Sequence, residues 1–217
     1  MLLCTYEKNW VWYNFLWKEG LNVNSKIVAI ASSTGGPRAL QSVFSQIPAG
    51  FDLPVLVVQH MPHGFTASLA QRLDGVCGIK VKEAEEGEEV KRGTAYISMG
   101  GLHMTVRKDR SGRHVIHYLD EPTREGVKPC ANYMYESLAD CGYDKIICAV
   151  LTGMGADGTE GIRNLKRRKD VYVIAQNKDT CVVYGMPKNV VAAGLANEEV
   201  PLDRVTAQII AKANSIR

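Results

Sequence analysis

KIVAIASSTGGPRAL, residues Lys26–Leu40, joins an apolar, β-branched run to a turn of small residues and then to a proline. A nearly continuous apolar run of this length suits a strand buried on both faces of a parallel sheet. Proline is favoured in the first turn of a helix, so Pro37 marks where the next element begins. The stretch therefore predicts a strand, a tight turn and a helix, the repeating unit of a doubly wound sheet. Ligands bind at the carboxyl-end turns of such sheets, so SSTGG, residues 32–36, is the first place to look for chemistry.

Three further runs match the first: LPVLVVQ (53–59), KIICAVL (145–151) and VYVIAQ (171–176). Helices are expected over Pro37–Gln46, Gly64–Leu73, Ala131–Asp140, Gly158–Arg168 and Val205–Asn214. The alternation predicts an α/β, doubly wound, mainly parallel sheet of three-layer, Rossmann-like type. Residues 94–119, TAYISMGGLHMTVRKDRSGRHVIHYL, alternate over shorter segments broken by Gly100–Gly101 and by Asp109–Gly112. They read as antiparallel hairpins.

The whole chain narrows the function classes. Its 217 residues suffice for one sizeable domain, and a formal net charge of +3 gives no basic stripe for nucleic acid. The one basic cluster, Lys166–Lys169, ends an expected helix, where cations suit the negative end of the dipole. The six cysteines are scattered without zinc-like spacing, as in a reduced cytoplasmic protein. No stretch approaches the roughly 18 apolar residues of a membrane span. Residues 1–24 form an aromatic-rich extension holding all three tryptophans, with Leu3, Tyr6, Trp10, Tyr13 and Trp17 spaced to line one side of a helix. Residues 25–217 form the main domain.

The turn at 32–36 can be read as a phosphate cradle or as the seat of a nucleophile. It completes neither phosphate fingerprint, G-x-x-x-x-G-K-[ST] or G-x-G-x-x-G. It does match a strand-to-helix nucleophile turn centred on Ser33, with Ala31 in place of the first glycine and Ser32 as a second hydroxyl. A serine needs a base and an orienting acid. His60 ends the second strand and Asp157 lies in the loop after the third, so three strand ends bring serine, histidine and aspartate to one sheet edge. Asp157 also suits the simpler role of a helix N-cap. His60 and His63 lack a nearby carboxylate or cysteine to make a metal site. His103, His114 and His117 fall in the expected hairpins, in surface or satisfied core roles. The acidic run Glu83–Glu89 reads as a solvated loop.

Five blocks in order resemble the catalytic domain of the chemotaxis protein-glutamate methylesterase family, CheB: SSTGGP, VVQHMPHGFT, VKEAEEGE, LTGMGADGTEG and IAQNKDTCVVYGMP. The resemblance runs from about Lys26 to the C-terminus. It implies a triad of Ser33, His60 and Asp157, with Thr34, Gly35 and Met154 beside the site and the first helix's amino end stabilising an oxyanion. It also implies hydrolysis of γ-glutamyl methyl esters on methyl-accepting chemotaxis receptors, with methanol released, no cofactor or metal, and in some members receptor glutamine deamidation. The implied partners are the receptors' cytoplasmic helices. Family members usually carry an N-terminal receiver domain, and residues 1–24 contain no acidic pocket for one. A catalytically silent binding module on the same fold is the competing expectation, and a nucleotide-binding protein a third.

Overall fold

A computed structural model describes residues 25–215. The extension 1–24 and the helix read from its aromatic spacing lie outside the described residues.

The opening run forms β1 (Lys26–Ser32), and every residue of it is buried. Its alternating side chains enter two separate cores, because successive residues of a strand point to opposite faces. Ile27, Ala29 and Ala31 face one core and Val28 and Ile30 the other. The turn after it leads into α1 (Gly36–Phe44), with Pro37 in the first turn as expected. Ala39, Leu40, Val43 and Phe44 lie on the buried side of that helix. Next come β2 (Val55–Gln59), α2 (Thr66–Asp74), β3 (Lys80–Glu83) and β4 (Thr94–Ile97). The hairpin β5 (His103–Lys108) and β6 (His114–Leu119) precedes α3 (Ala131–Ser137), which continues as a 3₁₀ turn to Asp140. The chain then runs through β7 (Lys145–Val150), α4 (Thr159–Lys166), β8 (Asp170–Gln176), α5 (Met186–Ala192), β9 (Glu198–Val200) and α6 (Leu202–Asn214).

Seven strands form one parallel sheet in the order β3-β4-β2-β1-β7-β8-β9. Helices α1, α2 and α6 supply the apolar cover of one face. The hairpin and helices α3, α4 and α5 supply the other. The expected doubly wound α/β class is what the chain adopts.

The hairpin expectation needs a correction. Only His103–Leu119 pairs antiparallel; Thr94–Ile97 joins the main sheet between β2 and β3. Ala95, Tyr96 and Ile97 are buried there, so apolar cover rather than alternation decided their place. The acidic loop is not merely solvated either. Glu86 accepts from the Tyr118 amide at 2.6 Å and pairs with His117 at 2.9 Å, while Gly87 and Glu88 bond to Ile116. The loop thereby ties the hairpin to the sheet. Among the described residues no helix is long and apolar enough to cross a membrane.

Candidate active site

From β1 the chain leads on to β2 at one side, and from β7 to β8 at the other. The sheet thus reverses its winding between β1 and β7, and the crevice beyond their carboxyl ends is where such folds bind ligands. The loops there are stitched together. The Ser33 amide donates to Thr152 O at 3.0 Å, and the His60 amide to Ser32 O at 3.0 Å. The Thr152 hydroxyl donates to Thr34 O at 2.9 Å and accepts from the Val183 amide at 3.0 Å.

The turn itself depends on two glycines. Gly35 has φ +81°, a left-handed conformation that costs a side-chain-bearing residue energy. Gly153 permits a close approach: a Cβ there would sit 2.7 Å from Ser33 Cβ and 2.4 Å from Met186 Sδ.

The two serines have different surroundings. Ser32 is fully buried, and its hydroxyl donates to Gln59 Oε1 at 2.7 Å. The Gln59 amide nitrogen then donates to Ser33 O and to His60 O, each at 3.0 Å. This pair is a clamp on the two backbones that carry the candidate nucleophile and base. The Ser33 side chain is half-buried, and its hydroxyl makes no hydrogen bond among the described residues. Thr34 is exposed, and Met154, next to Gly153, is 75% exposed. Among the described residues the Thr34 and Gly35 amides donate no hydrogen bond.

His60 and Asp157 meet directly, Nε2 to Oδ2 at 2.7 Å, with both side chains almost wholly covered. Asp157 does not cap the helix that follows it. It accepts instead from the first turn of α3, from the Ala131 amide at 2.6 Å, the Asn132 amide at 3.0 Å and the Cys130 thiol at 3.0 Å. Burial pushes its carboxyl pKa upward, but the hydrogen bonds from His60, Cys130 and Ala131, with the charge of His60, outweigh it and hold the group below its ordinary value. The other ring nitrogen of His60, Nδ1, is buried and has no hydrogen-bond partner among the described residues. An imidazole held through Nε2 by a carboxylate keeps Nδ1 as its free acceptor.

His63 is exposed, its Nδ1 3.3 Å from Gly100 O. Among the described residues no group of three or more histidines, cysteines, aspartates or glutamates is placed to hold a metal. Sequence reasoning overlooked Gln59, Cys130 and Asn132. The Asn132 side chain accepts from the Gly158 and Gly161 amides at 3.1 and 2.6 Å, so α3 and the Asp157 loop fix one another. Only Gln59 had a local signal, a polar residue at the end of an apolar strand.

A model of the CheB methylesterase family matches residues 28–209. The chain belongs to the CheB methylesterase family. It is 46% identical over 184 residues to a protein-glutamate methylesterase/protein-glutamine glutaminase of Geobacillus kaustophilus, covering 85% of this chain and 52% of that one. It is 50% identical over 184 residues to protein-glutamate methylesterase/protein-glutamine glutaminase 2 of Nitratidesulfovibrio vulgaris, covering 85% and 50%. The crystal structure of the Thermotoga maritima CheB methylesterase catalytic domain superposes with a TM-score of 0.83 at 42% identity, covering 88% of this chain and all of that one. The chain spans about half the length of the curated relatives it matches.

Proposed function

We propose that this CheB-family chain hydrolyses γ-glutamyl methyl esters on the cytoplasmic helices of methyl-accepting chemotaxis receptors. Ser33 is the nucleophile, His60 the base and Asp157 the orienting acid. The observation that carries the reading is the His60–Asp157 contact at 2.7 Å, with a buried Nδ1 on the other side of the ring that has no partner among the described residues. Ser33 and His60 follow directly on Ser32 and Gln59, which are paired in register on β1 and β2.

In the first half-reaction His60 Nδ1 takes the Ser33 hydroxyl proton while the oxygen attacks the ester carbonyl. Asp157 remains ionised and keeps the second proton on Nε2, which fixes the tautomer. The Thr34 and Gly35 amides at the start of α1 face the developing oxyanion, and Met154 borders the entrance. Methanol departs with the proton from Nδ1 and leaves an acyl group on Ser33. Water then gives a proton to Nδ1, attacks the acyl carbonyl and frees the glutamate carboxylate and the serine. The same steps release ammonia from a glutamine side chain, which accounts for deamidation as a second activity. The five described cysteines are free, which suits a reducing cytoplasm.

A catalytically silent receptor-binding module would keep the fold without a reactive serine. A fluorophosphonate probe separates the two. The esterase reading expects one adduct, mapped by mass spectrometry to Ser33 and lost in His60→Gln. An inert chain, or an adduct elsewhere, overturns it.

A further inference from the structure

A carboxylate offers about four lone-pair positions, and Asp157 has all four filled. Oδ2 accepts from His60 Nε2 and the Ala131 amide; Oδ1 accepts from the Asn132 amide and the Cys130 thiol. Cys130 and Asp157 are 0% and 2% exposed, so the site is shielded from water that would replace a missing donor. Burial first, then the charge and hydrogen bond of Asp157, push the Cys130 thiol pKa far up. Its proton stays on sulfur, and the sulfur donates.

Behind Cys130 stands a second buried residue. His103, at the first position of β5, is 0% exposed. Its Nδ1 accepts from the Cys130 amide at 3.1 Å, which places its proton on Nε2, 3.1 Å from Pro122 O. The ring packs on Tyr133 of α3 with centroids 4.4 Å apart. Burial, together with Lys128, disfavours its cationic form against the pull of nearby carbonyls and Asp157. Further charged neighbours are Asp120, which pairs with Lys128 and interacts with His103, Arg124, over the Tyr133 ring, and Glu136, paired with Arg124. Tyr135 of α3 is wholly buried and neutral.

We propose that Cys130 and His103 are positioning residues for Asp157. The thiol fixes the rotation of the carboxylate so that Oδ2 points at His60 Nε2, and His103 holds the backbone that presents the thiol. The proposal rests on reading Asp157 as the acid that orients His60. It also gives the antiparallel hairpin a task, since β5 reaches the triad from beneath through His103. Neither residue touches the scissile ester, so their loss acts on the rate of the chemical step and not on receptor binding. Small errors in the placement of a reacting group are costly in rate.

The test uses the full chain with Cys130→Ala, Cys130→Ser, His103→Phe and His103→Asn. Two readouts are followed: kcat and KM for methanol release from methylated receptor helices, and the downfield proton resonance of His60 Nε2–H, assigned by its loss in His60→Gln. Cys130→Ala is expected to lower kcat roughly tenfold with KM unchanged and to shift the resonance. Cys130→Ser supplies a hydroxyl donor and should recover most of both. His103→Asn retains an acceptor for the Cys130 amide and should exceed His103→Phe. If Cys130→Ala fails to fold, Cys130→Val fills the same space without a donor and replaces it. A wild-type kcat and an unshifted resonance in a folded Cys130→Ala protein, or a serine variant as impaired as alanine, overturn the proposal. If the unmodified chain releases no methanol, the esterase reading fails. The resonance then still decides: unmoved in Cys130→Ala, it overturns the positioning role.

Discussion

The Ser32 hydroxyl donates to Gln59 Oε1 at 2.7 Å in the buried end of the sheet, and the same glutamine holds the carbonyls of Ser33 and His60. One hydroxyl of the adjacent pair is thereby committed to structure, whereas that of half-buried Ser33 makes no hydrogen bond among the described residues.

Removal of the Ser32 hydroxyl should therefore act on stability first. Ser32→Ala leaves Gln59 Oε1 buried without that donor, at a cost of about 1–3 kcal/mol. Chemical denaturation should show the loss as a lower midpoint. Methanol release should fall far less than in Ser33→Ala, because Ser32 takes no part in proton transfer.

Gly153→Ala should damage both properties. The added methyl would meet Ser33 Cβ at 2.7 Å and Met186 Sδ at 2.4 Å. Overpacking of this kind costs about 1–3 kcal/mol, and the displaced serine should lower kcat with little change in KM. Thermal unfolding and steady-state kinetics on one preparation measure the two effects.

Acid should destabilise the fold through His114. Its Nε2 accepts from the Gly142 amide at 2.9 Å and its ring stacks on Tyr143 at 4.5 Å. Burial, then Lys108 and Lys169, lower its pKa from 6.5 in the folded chain. The unfolded chain binds the proton first as pH falls, so this contribution is complete above about pH 6.5 and is lost below it. Calorimetry should show Tm dropping between pH 7.5 and 5.5, and dropping less in His114→Gln. An equal drop in both proteins would remove His114 from the account. His103 shifts in the same direction and accounts for part of the slope that remains.

The buried centre of the sheet was legible in the sequence because β1, β2, β7 and β8 are apolar on both faces and leave no competing periodicity. The edges were not. β3, KVKE, and β9, EEV, are short and charged, as edge strands tend to be, and resemble loops. Thr94–Ile97 was drawn into the hairpin by the Gly100–Gly101 pair that follows it, although its partners β2 and β3 precede it in the chain. α5 went unread because Met186–Ala192 is only seven residues long.

The site divides in the same way. Ser33, His60 and Asp157 each stand just beyond a recognisable strand, and of these the His60–Asp157 pair meets directly at 2.7 Å. The partners of Asp157 carry no such mark. Cys130 is 27 residues away in sequence, and a single cysteine before a helix reads as a small apolar residue. His103 reads as a surface or satisfied core histidine, and it is satisfied in the core, by the Cys130 amide and the Pro122 carbonyl.

Methanol release from methylated receptor helices, compared across the intact chain, Ser33→Ala and Ser32→Ala, tests the central claim most directly. The account predicts release by the intact chain, a loss of more than about a thousandfold in Ser33→Ala, and substantial activity in a folded Ser32→Ala protein. Full activity in Ser33→Ala, or activity abolished only in Ser32→Ala, would contradict it.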